Sequence, residues 1–279
     1  MLAATGAAEA KPVVYGGKLL LTRGVTSIEG ASGAGLATWA VIAGNETEDG
    51  VGASAFATQL ALDDYDFTAW GGAIGLFDRV EISYAHQEFG TGATGALLGL
   101  GADFTFAQDI YGLKVRVLGD AVYDQDRWLP QIAIGLQHKQ NDQKGVIGAI
   151  GGEDDSGTDY YIAATKILLN QSLVLNGAVR LTEANQTGIL GFGGDRESDQ
   201  TAQWEVSAAY MLSDRLIVGG EYRTRPDNLG FAEEDDAYDI FAAYAVTHNL
   251  SVVGGFVALG DIATFEDQDG LYLSLQVGF

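Results

Sequence analysis

The chain has 279 residues, and 15 Lys and Arg against 38 Asp and Glu leave a formal charge of −23. That charge excludes a general nucleic-acid binder, which needs a basic footprint for phosphates, and the absence of Cys excludes disulfides, thiolate metal sites and Cys nucleophiles. With 47% apolar and 10% aromatic residues the chain is too hydrophobic for disorder.

Residues 1–10 are small and apolar and end in Ala8-Glu9-Ala10, an A-x-A-like cleavage site before Lys11. They are expected to be the remnant of a signal peptide or a disordered tail, ahead of a single domain over 11–279. No run reaches the ~18 continuous apolar residues of a membrane helix. The segment 162–169, for example, is interrupted by Lys166.

From there the dominant signal is period-two alternation over segments of about ten residues. In chain order it predicts strands near 18–28, 36–44, 51–62, 66–77, 79–89, 109–121 and 128–140. It continues with 158–169, 172–183, 201–212, 215–225, 237–247, 249–259 and 270–279. One face of each strand is apolar: Leu173, Leu175, Val179 and Leu181; Trp204, Val206, Ala208, Tyr210 and Leu212; Leu271, Leu273, Leu275, Val277 and Phe279. Short turns at Asp78-Arg79, Asn170-Gln171, Ser213-Asp214 and 247–249 alternate with long loops near 90–108, 141–157, 184–200, 226–236 and 260–269. This sorting is the plan of an all-β transmembrane antiparallel up-and-down β-barrel, with turns at one rim and loops at the other. Tyr210, Tyr222, Tyr238, Tyr244, Trp128 and Trp204 fall near strand ends, where interfacial girdles sit. Fourteen strands are expected. Twelve result if 18–28 folds into the lumen and a further N-terminal segment is not a strand.

The terminal segment 271–279, with Tyr272 and Phe279, resembles the C-terminal signature of bacterial outer-membrane barrels, which implies recognition by the barrel-assembly machinery. The stretches Gly17 to Gly44 and Gly119 to Lys139 are similar to a family of bacterial proteins of unknown function. That resemblance implies an envelope protein in the outer membrane of a Gram-negative bacterium and carries over no catalytic or binding residue. A count of fourteen also resembles the long-chain fatty-acid transporter family, in architecture alone.

Lys or Arg at mid-bilayer on the lipid face costs about 2–4 kcal/mol, so the strand bases are expected inward. Lys114, Arg116, Lys166, Arg180 and Arg223 would line the lumen with the acids Glu205 and Glu221, and Glu205 could pair with Arg215. The remaining acids gather in connections such as 153–155 and 233–236 and read as a solvated surface, with no metal site. His86 and His138 lie on the outer face, His248 in a turn, and no Ser-His-acid set is evident, so no enzyme and no cofactor are expected. The glycine clusters lack the Lys-Ser/Thr of a phosphate loop. The expectation is a monomeric passive channel for small solutes, with a narrow, partly basic lumen gated by the apolar loop 90–108. Its surroundings would be lipid and lipopolysaccharide, and nucleic acid is no partner. The alternative is a non-transporting structural or partner-binding barrel with a plugged lumen.

Overall fold

In a bilayer no backbone group can stay unpaired, so a sheet that crosses must close on itself. A computed structural model describes residues 18–19, 21–48, 50–124 and 126–279. Residues 1–10, Lys11 and Asp49 lie outside the described residues. The sheet is a closed, all-antiparallel barrel of twelve strands: β1 (Val51–Leu62), β2 (Asp66–Leu76), β3 (Val80–Gly90), β4 (Thr105–Leu118), β5 (Gln131–Asn141), β6 (Ser156–Leu168), β7 (Leu173–Thr182), β8 (Thr201–Ser213), β9 (Leu216–Arg223), β10 (Ala237–Ala245), β11 (Leu250–Ile262) and β12 (Phe265–Gly278). Each strand pairs with the next, and β12 returns to β1 in the register Gly270↔Leu62 to Gly278↔Ser54, which removes the last edge. The expected strand at 18–28 and the one at 36–44 do not join the barrel. They fold inside it, so the alternative count of twelve, with 18–28 in the lumen, holds, and the architectural analogy to a fourteen-strand transporter does not apply.

The faces follow the alternation. Ile82, Ile134, Ile162, Leu175, Val206, Ile240 and Leu273 point out and are about half exposed, as lipid-facing residues must be. Trp204, Tyr222 and Tyr238 form part of an aromatic ring towards the loop end, and Tyr210, Tyr244 and Trp128 part of one towards the turn end, all exposed. Short connections cluster at the end that carries the C-terminus, apart from 119–130, while at the other end 63–65 and 263–264 are tight turns, so the long loop expected at 260–269 is a hairpin. The other end carries the long loops, among them α1 (Gly92–Leu97) and α2 (Lys144–Ala149). Among the described residues no helix is long and apolar enough to cross a membrane.

Loop 91–104 does not enter the lumen as expected. Helix α1 buries Thr94, whose hydroxyl bonds Tyr65 Oη at 2.7 Å, and leaves Leu97 73% exposed with Leu98 and Leu100 also outward. Other segments enter the lumen in its place.

Ile162 sits mid-strand on the lipid face opposite Ile134. Ile162→Lys is expected to lower the unfolding free energy in lipid by about 2–4 kcal/mol, read from a urea titration followed by tryptophan fluorescence.

Candidate functional site

The segment 21–46 runs through the lumen from the turn end, and nearly all of it is buried. It is rich in Gly, Ala and Ser, so its backbone packs closely against the wall. Val25–Thr26 pairs with Ser32–Gly33 in a minimal ladder, and most of the remaining peptide groups have no strand partner. A buried peptide group without a partner is costly, and the barrel wall supplies the partners. Glu81 accepts from Ser32 N at 3.0 Å and Ala43 N at 2.8 Å. Glu221 accepts from Leu36 N at 2.7 Å and Ala37 N at 3.1 Å. Glu205 accepts from Thr38 N at 2.7 Å, and Thr165 Oγ1 from Ala40 N at 2.7 Å. Lys114 Nζ donates to the carbonyls of Ser32, Trp39 and Val41, while its charge meets Glu81 at 3.0 Å.

One acid of the plug is the centre of the lumen. Glu29, 1% exposed, lies 2.5 Å from Lys139 Nζ, 2.8 Å from Arg223 Nη1 and 3.4 Å from Arg180 Nη2. The wall adds Asp159, at 2.9 Å from Lys139 and 3.2 Å from Arg180, and Glu205, at 2.6 Å from Arg180. Five charged wall residues from five strands thus close around one side chain of the plug.

Of the residues expected to line the lumen, Lys114, Arg116, Arg180, Arg223, Glu205 and Glu221 all face inward and are buried. The bases among them hold carboxylates: Arg116 meets Asp78 at 2.8 Å, Asp120 at 3.3 Å and Glu48 at 3.2 Å near the turn end. Glu205 pairs with Arg180 rather than Arg215, which is exposed in a turn and donates to Val246 O. Lys166 is a correction. It shares the outer face with its register partner Leu175, and its Nζ reaches Asp124 O at 2.7 Å. Near a strand end a long aliphatic stem can lie along lipid while the ammonium returns to polar backbone. Tyr272 points inward and donates to Asp239 Oδ2 at 2.8 Å. Phe279 is exposed, and its carbonyl accepts from Asn45 N and Ala53 N. His86 bonds Asp109 at 2.9 Å and His138 bonds Thr158 at 3.0 Å, both on the outer face. No cluster of three or more potential metal ligands occurs among the described residues.

Sequence reasoning missed Glu29, Glu81 as a backbone acceptor, and Asp159, while Asp239 is inward as its alternation requires. The available signal was Gly30 to Gly44, where small residues replace the aromatic-tipped alternation of a lipid-facing strand.

Above the plug, residues 186–190 fold over the lumen. Gln186 and Thr187 both have positive φ, 45° and 61°, a conformation that costs energy for a β-branched residue. Their turn is latched from the neighbouring loop: Gln186 N donates to both oxygens of Glu234 at 2.8 and 2.9 Å, and Arg225 Nη1 donates to Gln186 Oε1 at 2.8 Å. Burial pushes the Glu234 carboxyl up to about 7, although Arg225 at 3.6 Å opposes the shift.

A closed sheet with a lipid-facing apolar belt and aromatic rings defines the class: the chain is an outer-membrane β-barrel, an architecture of the Gram-negative envelope. It belongs to the family described as "Protein of unknown function (DUF3034)", whose model matches residues 22–276, plug and barrel alike. Among solved structures it is similar to a KdgM porin in complex with disordered oligogalacturonate, at TM-score 0.53 and 8% identity over 81% of this chain and 99% of that one. It is equally similar to a NanC porin, at TM-score 0.53 and 7% identity over 81% and 98%. At such identity the likeness is one of fold. No curated protein matches the chain.

Glu29→Gln leaves three buried bases short of one negative charge, and a cost of about 3–5 kcal/mol is expected, read as a fall in the urea midpoint of the folded barrel. For Glu234 the folded state holds its proton more tightly than the usual value of 4.5. The latch is therefore strongest below that value and weakens as pH rises through about 7. Amide exchange at Gln186 should accelerate from about pH 5 to about pH 8 beyond the intrinsic rate, and Glu234→Gln should flatten that excess.

Proposed function

We propose that the chain is an outer-membrane channel for small solutes whose lumen is held shut by its own N-terminal segment. The observation that carries this reading is the mode of attachment. The plug is held mainly by side chains of the wall, with a backbone bond from Asn45 N to Phe279 O at its end, and contributes no strand to the barrel, whose β1–β12 seam closes without it. It can therefore shift while every ladder of the barrel stays paired. The wall also keeps acids beside its bases, so displacement does not strand a group of like charges.

The lumen charge fits this scheme. With Glu29 withdrawn, Lys139, Arg180 and Arg223 face Asp159 and Glu205, three positive against two negative charges. The opened constriction then favours anions, with Arg180 and Arg223 on the path and Lys114 and Arg116 nearer the turn end. A second reading is favoured by the number of buried ion pairs on the plug: a permanently sealed barrel that acts through its loops. No catalytic role is proposed for any residue. Insertion by the barrel-assembly machinery through Tyr272 and Phe279, contact with lipopolysaccharide and a monomeric state belong to the same proposal.

Planar-bilayer recording separates the two readings. The intact barrel is expected to be largely silent with rare openings, Glu29→Gln to open more often, and a barrel lacking 18–46 to conduct steadily with anion preference in a salt gradient. The chain has no Cys, so Ala37→Cys, fully buried in the plug, should react with a maleimide only during openings. A plugless barrel that still shifts on a heat-modifiability gel but passes no current would end the channel reading. Cation preference would end the basic-constriction part alone.

A further inference from the structure

Between the plug and the 186–190 turn the lumen is not filled. A chamber lies there. Its floor is Ile28, Gly35 and Leu36 of the plug, and its roof is Gln186 to Leu190. Its walls are chiefly apolar, with Leu60, Phe67, Phe89, Val253, Val257 and Ile262 from four strands. A mostly apolar chamber with a few convergent polar groups is the ordinary form of a small-molecule site.

At its floor stands the carboxyl of Asp239, with Glu221 beside it. Glu221 and Asp239 are direct register partners on β9 and β10 and both face inward. Gly35 packs over them so closely that a Cβ there would lie 3.1 Å from Asp239 Oδ2 and 3.3 Å from Glu221 Oε2. The oxygens of Glu221 are occupied by Leu36 N, Ala37 N and Ser207 Oγ. Asp239 is 2% exposed and lines the chamber; its Oδ2 accepts from Tyr272, and its Oδ1 has no partner. Neither carboxylate takes part in an ion pair among the described residues. Two bases, Arg223 and Arg225, also line the chamber, and both are engaged with other partners. Arg223 holds Glu29 and Leu36 O, and Arg225 holds Asp235 O, Leu259 O and Gln186. The one acceptor of the pair left open therefore belongs to an acid, inside an apolar chamber.

We propose that this chamber binds a small apolar molecule bearing a protonated amine, the ammonium donating to Asp239 and the hydrocarbon body filling the space towards Phe67 and Val257. An ammonium supplies what is missing, a donor for Oδ1, and places its charge beside an acidic pair that no base contacts. Because the plug forms the floor, the site exists only while the lumen is plugged, and an occupied chamber holds the plug in place. The inference rests on the chamber and not on the channel reading, and binding can be measured whether or not the barrel conducts.

The test is calorimetric titration of the full chain, folded in lipid nanodiscs, with phenethylamine and with 3-phenylpropanoate, which has a similar body and the opposite charge. The amine is expected to bind the wild type and to lose about tenfold to a hundredfold in affinity in Asp239→Asn. Asp214→Asn, which removes the same charge from an exposed turn, should leave binding unchanged. Equal or tighter binding of the carboxylate would overturn the proposal, as would unchanged amine affinity in a folded Asp239→Asn barrel. Should that variant fail to fold, the comparison of amine with carboxylate on the wild type still decides. A loss of binding with conduction as expected, or the reverse, tells the failure of this inference from that of the channel reading.

Discussion

The structure depends on the pairing of Glu29 with Lys139, Arg180 and Arg223 inside the barrel. A lumen enclosed by lipid has the dielectric problem of a protein core. A chain threaded through it brings peptide groups that need partners, and the wall brings charges that need counter-charges. Each set satisfies the other. Glu81, Glu205 and Glu221 take up plug amides, Lys114 takes up plug carbonyls, and Glu29 closes the cluster of bases. Either half alone would carry unpaired polar groups. Together they make the inner surface a second, mostly polar core, complementary to the apolar belt outside.

This complementarity explains features that have no meaning strand by strand. Gly30, at φ +90°, brings the plug so near β3 that a Cβ would approach the carbonyl of Tyr84 to 3.0 Å. Small residues at 31–44 follow from the same closeness. The net charge of −23 is explained by place as well: most of the excess acids lie in connections, whereas the lumen wall sets acids beside its bases. A whole-chain charge therefore says little about what the interior attracts. Where the plug stops, the wall chemistry changes from charged to apolar, and Asp239 is left at the boundary with an open acceptor.

Much of the barrel was legible because lipid imposes a period of two on every strand. Twelve predicted strands exist, their apolar faces point outward, and the aromatics placed near strand ends are exposed there. The inward direction of Lys114, Arg116, Arg180 and Arg223 followed from the cost of charge in lipid. The same rule misplaced Lys166, because a lysine near a rim escapes that cost by extending its stem to a backbone carbonyl. The plug was misread as strands because small apolar residues suit a lipid face and a buried lumen equally, and alternation does not distinguish the two. Its loss from the sheet changed the count from fourteen to twelve without disturbing any other strand.

The sequence by itself determined the closed antiparallel barrel, its lipid face and its long-loop end, since each depends on local alternation and on turns between neighbours in the chain. Tertiary structure alone decided what fills the lumen. Glu29 meets Lys139 at a separation of 110 residues and Arg223 at 194, and no local pattern encodes a partner that far away. Only the closure of the sheet brings those bases around one point, and only then does one acid of a glycine-rich segment become the centre of the molecule.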